Sequence, residues 1–322
     1  MTAPEQQATR ATTPATAASA SIDPATQMGV VAITVADLDR SLAYYTDGIG
    51  FALLERDGSH ATLGAGGMPL LLLTEVPDAR RFPHDRPGYT GLYHFAILVP
   101  TRADLGRWLR HWLESGQPLP GQGDHLVSEA LYLTDPDGHG IEIYRDRPRS
   151  EWTYAGGFVR MATDPVDIRG VLEEAEREGK PWAGMAAGTR LGHMHLQVGD
   201  ISQAAEFYHG ILGFDIMAAM PSALFISAGG YHHHIGMNIW HSRGAAPTPA
   251  DVARLSFYTI DFATEEARAA TLARLAAAGV AYQDTPAGVL VRDPWQNILV
   301  LRVGAVTDAE AAATLAAAVP HA

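Results

Sequence analysis

The hydrophobic and polar positions of this chain follow a pattern that repeats. Val35–Phe51 (V-A-D-L-D-R-S-L-A-Y-Y-T-D-G-I-G-F) aligns without gaps on Val198–Phe214 (V-G-D-I-S-Q-A-A-E-F-Y-H-G-I-L-G-F). In each copy an apolar strand end is followed by an aspartate at the helix N-cap position, Asp37 or Asp200. Apolar residues then recur at helical spacing up to a Gly-Phe exit. The pattern predicts a strand and an amphipathic helix in both places.

Two fainter copies of the pattern share an Asp-Pro turn. One closes with L-Y-L-T-D-P-D-G-H-G-I-E-I-Y (Leu131–Tyr144), and the other with V-L-V-R-D-P-W-Q-N-I-L-V-L (Val289–Leu301). Before each turn the alternation favours strands, and an apolar stripe at helical spacing precedes them. The chain is therefore expected to contain four βαβββ units, at 28–76, 90–146, 189–241 and 253–303. This is an α+β architecture.

The remaining segments suggest the domain organisation. We expect a flexible tail at 1–27, which is rich in Ala, Thr, Gln and Pro, and an alanine-rich tail at 304–322. Residues 28–146 hold the first two units in sequence and 189–303 hold the last two. An insert at 147–188, with a helix expected between residues 166 and 178, connects them.

Composition narrows the classes of partner and site. The 322 residues include 23 basic and 36 acidic side chains, and the net charge of −13 argues against nucleic-acid or anionic-membrane partners. The chain has no secretory signal pattern and no 18-residue apolar run, so a cytoplasmic protein is expected. Its acidic surface is compatible with a homo-oligomer. Because there is no cysteine, a bound metal would need His, Asp, Glu or backbone oxygen ligands.

The four units, the Gly192-His193 strand start and the D-P-D-G-x-x-I-E ending resemble the vicinal oxygen chelate superfamily. That group includes glyoxalase I, bleomycin-binding proteins and extradiol ring-cleaving dioxygenases. S-E-A-L-Y-L-T-D-P-D-G, Y-R-D-R-P-R-S and S-A-G-G-Y-H-H-H-I-G-M-N-I-W are most similar to the two-domain bacterial catechol 2,3-dioxygenases of the CatE type. The resemblance implies metal ligands on the first and last strands of a unit, facing a cavity between two paired units.

Applied to this chain, the resemblance implies that His94, His193 and Glu142 hold a metal. A lone strand histidine is more often a hydrogen-bonded core residue, but here two occupy equivalent positions in units two and three. Glu142 interrupts the apolar strand G-I-E-I-Y, where a carboxylate is costly unless it is paired or metal-bound. Two histidines and one carboxylate are the facial triad of non-haem oxygenases and suit Fe(II), or alternatively Mn(II).

In units one and four, the strand positions that correspond to the proposed ligands carry no histidine. We call the ligand position on the first strand of a unit its first-strand slot, and the ligand position on the last strand its last-strand slot. The first-strand slot holds Val30 in unit one and Leu255, or Phe257 with a different gap, in unit four. The last-strand slot is assigned to Glu75, Asn238 and Val300 in units one, three and four. Since the three ligands lie on units two and three, we predict that unit two pairs with unit three and unit one with unit four.

The run His232-His233-His234 raises a separate question, because neighbouring strand residues face opposite ways and cannot share one ion. By resemblance His233 is the catalytic acid–base residue, and Tyr132, ten residues before Glu142, hydrogen-bonds the substrate. His125, His232 and Asn238 are candidate substrate contacts. Alternatively, His232 and His234 orient ligands or bind water.

These residues favour Fe(II)-dependent extradiol cleavage of a catechol by O₂. Two other functions remain open. A glyoxalase-like isomerase or thiol transferase would carry a fourth metal ligand, and a metal-free binding protein would need no triad.

Overall fold

The structure, a computed structural model, describes residues 21–319. Unit one comprises β1 (Gln27–Val35), α1 (Leu38–Ala43), β2 (Ala52–Asp57), β3 (His60–Ala65) and β4 (Met68–Glu75). Unit two comprises β5 (Gly91–Leu98), α2 (Arg102–Glu114), β6 (Gly121–Asp124), β7 (Ser128–Thr134) and β8 (Gly140–Asp146). The insert carries β9 (Tyr154–Ala155), β10 (Phe158–Val159) and α3 (Ile168–Glu178).

The second half repeats this order. Unit three comprises β11 (Arg190–Gln197), α4 (Ile201–Ala204), β12 (Asp215–Met220), β13 (Ala223–Ser227) and β14 (Ile235–Asn238). Unit four comprises β15 (Leu255–Phe262), α5 (Glu265–Ala277), β16 (Tyr282–Thr285), β17 (Gly288–Arg292) and β18 (Ile298–Val303), and α6 (Ala309–Ala318) follows. Among the described residues, no helix is long and apolar enough to cross a membrane.

The strands form two eight-stranded sheets, each built from two units. One has the order β12-β13-β14-β11-β5-β8-β7-β6 and joins units two and three; the other has the order β16-β17-β18-β15-β1-β4-β3-β2 and joins units one and four. In each sheet the first strands of the two units run antiparallel side by side, β5 with β11 and β1 with β15. The expected α+β fold and the pairing of two with three and one with four are confirmed.

The repeated motif forms the same cap twice. The side chains of Asp37 and Asp200 accept hydrogen bonds from the backbone N–H of Arg40 and Gln203, at 3.0 and 2.8 Å, as N-cap residues do. Both helices continue into a π-helical turn. The glycines of the two Gly-Phe exits, Gly50 and Gly213, have φ of 92° and 89°, a conformation that side chains disfavour.

The largest apolar core includes residues from both sheets and the unit helices. Hydrogen bonds also cross this core. They join unit one to unit two, and unit three to unit four. The hydroxyl of Tyr45 in unit one donates to Asp135 of unit two, and that of Tyr208 in unit three donates to Asp293 of unit four, both at 2.9 Å. Each helix is thereby tied to the Asp-Pro turn of the next unit.

The sheet of units one and four has a second, apolar face covered by α6. Val30, Leu72, Phe257 and Val300 lie on it and pack with buried side chains of the C-terminal segment, such as Leu315. We call this set the apolar face.

The strand register corrects two of the slots assigned from sequence. Glu142 pairs with the residue two positions after His94, and Val300 and Leu72 stand in the same relation to Phe257 and Val30. The unit-four slot is therefore Phe257 and not Leu255, and the unit-one slot is Leu72 and not Glu75. Glu75 instead accepts a hydrogen bond from the Leu38 N–H at the start of α1, at 3.0 Å.

The structure describes parts of both expected tails and the whole of the insert. Residues 1–20 of the expected tail lie outside the described residues. Ile22, within the same expected tail, is buried, and its N–H donates to the Gly213 carbonyl at 2.7 Å. Within 147–188 the structure has α3, and within 304–322 it has α6.

Candidate metal centre and its surroundings

The three histidine and glutamate side chains singled out by the sequence meet on adjacent strands. Glu142 on β8 and His193 on β11 both pair in register with Ala96 of β5, and His94 lies two residues before it on the same strand. Glu142 Oε2 lies 3.0 Å from His94 Nε2 and 3.1 Å from His193 Nε2. One ligand atom from each residue lies within 4.8 Å of the others. We call these three residues the triad.

The protonation states of Glu142 and His94 suit a cation. Burial by itself would raise the pKa of Glu142, but His193 and His94 outweigh it and hold that pKa well below the usual value. Burial lowers the pKa of His94, although Glu142 opposes this. An ionised carboxylate beside a neutral imidazole is the state in which both groups bind metals. His94 Nε2 is buried and lies 3.0 Å from Glu142 Oε2, so it faces the carboxylate as a second ligand atom of one ion would.

The last-strand slot of unit three is occupied by Gly236. This residue pairs with His195, two positions after His193, as Glu142 pairs with the position two after His94. The sequence alignment had placed Asn238 there, which is two residues too far along the strand. A Cβ added at Gly236 would lie 3.0 Å from His195 Nδ1. Glycine has no side chain to ligate a metal, so the slots supply three donors and no fourth.

His233 lies beside the triad, in the loop between β13 and β14. Its ring centroid is 4.1 Å from that of His193 and 5.1 Å from that of Phe225. Burial, followed by the nearby His193 and His232, holds the pKa of His233 well below 6.5. The imidazole is therefore neutral at pH 7 and can accept a proton.

Tyr132 and His125 form a hydrogen-bonded pair on the other side of the triad. Tyr132 pairs across the strands with Glu142, and its hydroxyl lies 2.6 Å from His125 Nε2. His125 Nδ1 lies 2.7 Å from the Ala162 carbonyl oxygen, which can only accept. A neutral His125 therefore carries its proton on Nδ1, and Tyr132 donates to Nε2. Burial, with the Glu142 charge second, raises the pKa of Tyr132 well above 10.

His232 and Asn238 already have protein partners. His232 is fully buried, with Nε2 2.9 Å from Asp146 Oδ1 and Nδ1 2.8 Å from His233 Nδ1. Asn238 donates from Nδ2 to His195 Nε2 at 3.0 Å, and its side-chain oxygen accepts from the Trp240 N–H. Through these bonds His232 contacts His233, and Asn238 contacts His195, on the side away from the triad.

His234, the third histidine of the run, also has a protein partner. Its Nδ1 accepts from the Ala228 N–H at 3.1 Å. This bond is internal to the loop between β13 and β14. The geometry therefore assigns His234 to the loop's structure.

Sequence reasoning missed His195. Its ring centroid lies 4.8 Å from that of His94, and burial, followed by His94 and His193, holds its pKa well below 6.5. The signal was available, because His193 and His195 alternate on one strand and must share a face. The same period of two, carried from Glu142 through Tyr144, would have indicated Asp146.

The insert closes over this end of the site, which no local sequence signal indicated. Trp152 is buried against Tyr231 and His232, with ring centroids 6.0 and 5.4 Å apart. Farther along, residues 124 and 164 form a β-bridge that ties the insert to the edge strand β6. The insert therefore shields the histidine loop from solvent.

Comparisons with known proteins identify the family of the chain. The model of the Glyoxalase/Bleomycin resistance protein/Dioxygenase superfamily matches residues 27–143 and 190–301. The chain is 46% identical over 279 residues to a Bacillus subtilis (strain 168) protein named catechol-2,3-dioxygenase, covering 85% of this chain and 96% of that protein.

Solved structures share the fold at low sequence identity. Glyoxalase I from Zea mays superposes with a TM-score of 0.50 and 18% identity, over 86% of this chain and 92% of that one. The cppA protein from Streptococcus pneumoniae TIGR4 does so with a TM-score of 0.50 and 12% identity, over 86% and 99%. The resemblance inferred from the sequence motifs is confirmed: the chain belongs to the Glyoxalase/Bleomycin resistance protein/Dioxygenase superfamily.

Proposed function

We propose that this protein is an extradiol ring-cleaving dioxygenase that opens a catechol with O₂ at an Fe(II) ion held by His94, His193 and Glu142. The observation that carries the proposal is that two imidazoles and one carboxylate converge, while the last-strand slot of unit three holds a glycine, Gly236. The 46% identity to a protein named catechol-2,3-dioxygenase supports the substrate class.

Nitrogen and carboxylate donors without sulfur suit Fe(II) or Mn(II), and iron is our choice. When bound, such an ion supplies adjacent coordination positions where a chelating substrate and O₂ can be brought together. The chain's own contribution is to present two imidazoles and one carboxylate on strands fixed by the sheet. Ala96, which pairs with both Glu142 and His193, places only a buried methyl group between them.

His233 serves as the general base and later as the general acid. A catechol must lose hydroxyl protons to chelate a cation, and a neutral buried imidazole beside the triad can take one. Returning that proton to the product restores His233 for the next turnover. The low pKa of His233 keeps its ring uncharged before substrate arrives.

Tyr132 and His125 orient the substrate from the opposite side. Because the Tyr132 proton is directed to His125 Nε2, the phenol oxygen presents lone pairs to a substrate hydroxyl. Burial raises the pKa of Tyr132 well above 10, so the phenol stays protonated. We assign no direct substrate contact to His232 or Asn238, whose polar atoms are engaged elsewhere.

The proposed reaction adds both oxygen atoms of O₂ to the catechol without any external reductant. The ring C–C bond next to one hydroxyl-bearing carbon breaks, one carbon becomes a carboxylate, and the other becomes an aldehyde. The glyoxalase-like alternative is disfavoured by Gly236, which supplies no fourth ligand. The metal-free alternative is disfavoured by the buried Glu142, whose low pKa keeps it charged.

The test is an oxygen-labelling experiment. Iron-loaded protein is given catechol under ¹⁸O₂, and the product is analysed by mass spectrometry. We expect a ring-opened hydroxy-semialdehyde acid containing both labelled atoms. Intradiol diacid, a carboxylate without label, or no ring opening by protein shown to contain iron would each contradict the proposal; the aldehyde label counts only when the aldehyde is reduced before its oxygen exchanges with water.

A further inference from the structure

A chain of hydrogen bonds runs from Asp146 to His233, away from the triad. Asp146 Oδ1 lies 2.9 Å from His232 Nε2, and His232 Nδ1 lies 2.8 Å from His233 Nδ1. His232 is completely buried, while the Asp146 side chain is a quarter exposed. Both nitrogens of His232 are therefore committed, and the chain links the loop histidine to the protein surface.

Further hydrogen bonds hold the acceptor end in place. The Tyr231 hydroxyl lies 3.1 and 3.0 Å from the two Asp146 oxygens, and it donates to them. Tyr144 therefore donates its own proton to the Tyr231 oxygen, at 2.8 Å. Trp152 of the insert packs on the rings of Tyr231 and His232. The Asp146 carboxylate thus accepts from every polar neighbour named here.

The order of donors and acceptors fixes where each proton sits. When His232 carries a single proton, a carboxylate accepting at Oδ1 requires that proton to be on Nε2, which leaves Nδ1 as an acceptor. His233 must then donate from Nδ1, because two bare nitrogens at 2.8 Å would repel each other. Neutral His233 carries one proton, so its Nε2 is left as a free lone pair.

We propose that Asp146 and His232 are positioning residues that hold His233 in the Nδ1–H tautomer, with Nε2 ready to take a proton. The inference deepens the proposed function and rests on it for the role of His233 as the base. The tautomer itself does not depend on that role. In the opposite tautomer Nε2 would carry a proton and could not act as a base.

The tautomer can be read directly by ¹⁵N–¹H correlation NMR on metal-free protein labelled at histidine, with assignment through His232→Gln and His233→Gln spectra. Wild type should show His233 protonated on Nδ1 and His232 on Nε2. In Asp146→Ala the His233 signals should move toward the Nε2–H form. Tyr231→Phe, which keeps the carboxylate, is the matched control and should keep the wild-type tautomers.

Two NMR outcomes would overturn the proposal. His233 protonated on Nε2 in wild type would reverse the inferred direction of donation. An unchanged His233 tautomer in Asp146→Ala would show that the carboxylate does not set it. The wild-type spectrum alone decides the first point, even if a variant fails to fold, and neither outcome depends on catalysis.

Kinetics then separates positioning from a merely structural role. Asp146→Ala should lower kcat by at least about tenfold, and by no more than the roughly 10²–10⁴-fold that the acid–base group itself contributes. KM for catechol and the bound iron should stay unchanged, and Asp146→Glu should recover part of kcat. In a His233→Ala background the Asp146 change should cost nothing more, because the two residues act as one unit. Additive losses would contradict action through His233.

Discussion

At the scale of single residues, the site depends on which side chains share a strand face. His94, His193 and Glu142 could be identified because each is an unusual residue at a repeated strand position. His195 and Asp146 were missed although the same alternation reaches them. Trp152 could not be found, since its place beside His232 depends on how the insert folds back and not on local spacing.

His233→Ala is expected to retain the metal and lose turnover. Its ring contacts His193, but its Nδ1 is bonded to His232, so proton transfer is removed without removing a ligand. The rate should fall by about 10²–10⁴-fold, measured as kcat alongside iron per chain. His234→Gln is the matched control within the same run. Loss of iron together with activity would make His233 a ligand and contradict its role as base.

A buried carboxyl in the sheet of units one and four predicts a pH effect on stability. Burial raises the pKa of Asp261 to about 6, although Thr259 and Arg302 oppose the shift, and its Oδ1 has no hydrogen-bond partner within the described residues. Between the unfolded pKa, near 4, and about 6 the folded state binds more protons. This group's contribution to the unfolding free energy therefore falls as pH rises through that range and is constant above it.

Asp261→Asn should consequently stabilise the protein more at pH 7 than at pH 4.5, by about 2 kcal/mol. Urea denaturation of wild type and variant at both pH values measures the difference. Asp284→Asn, at an exposed position in the same sheet, is the control and should show no such change. A variant advantage that is equal at both pH values would contradict the shifted pKa.

At the scale of elements, the repeat predicted the four units, but strand register had to come from the structure. Asn238, Glu75 and Leu255 were misassigned because sequence matching across short loops cannot fix where a strand begins pairing. Because a shift of two residues keeps a side chain on the same face, the alternation of polar and apolar residues could not reveal the error in register. The correction to Gly236 changes the chemistry, because it removes the side chain at the last-strand slot of unit three.

Helix α6 is expected to stabilise the protein without taking part in the site. Leu315 is fully buried against the apolar face, so Leu315→Ala should lower the unfolding free energy by about 2–4 kcal/mol. Denaturant unfolding measures this, while iron content and KM for catechol should stay at the wild-type values. Thr314→Ala, at an exposed position of the same helix, should change neither. An altered KM in folded Leu315→Ala protein would show that α6 does influence the site.

At the scale of the whole molecule, the two sheets have the same topology but carry different residues at the corresponding slots. In the sheet of units two and three the slots hold the triad and Gly236. In the sheet of units one and four they hold the apolar face, closed by α6. The pairing was predictable because the proposed ligands on units two and three can meet only if those units share a sheet. The covering of the apolar face by α6 was not, since an alanine-rich tail gives no indication of where it docks.

We propose that one iron site per chain, on the sheet of units two and three, performs the ring opening. The most direct measurement is an anaerobic titration of metal-free protein with Fe(II), in which each sample is assayed for catechol cleavage. Activity should rise linearly and stop at one iron per chain, Val30→Ala in the first-strand slot of unit one should behave alike, and Glu142→Ala should remain inactive. A plateau at two irons per chain, or normal iron-dependent activity in Glu142→Ala, would contradict the proposal.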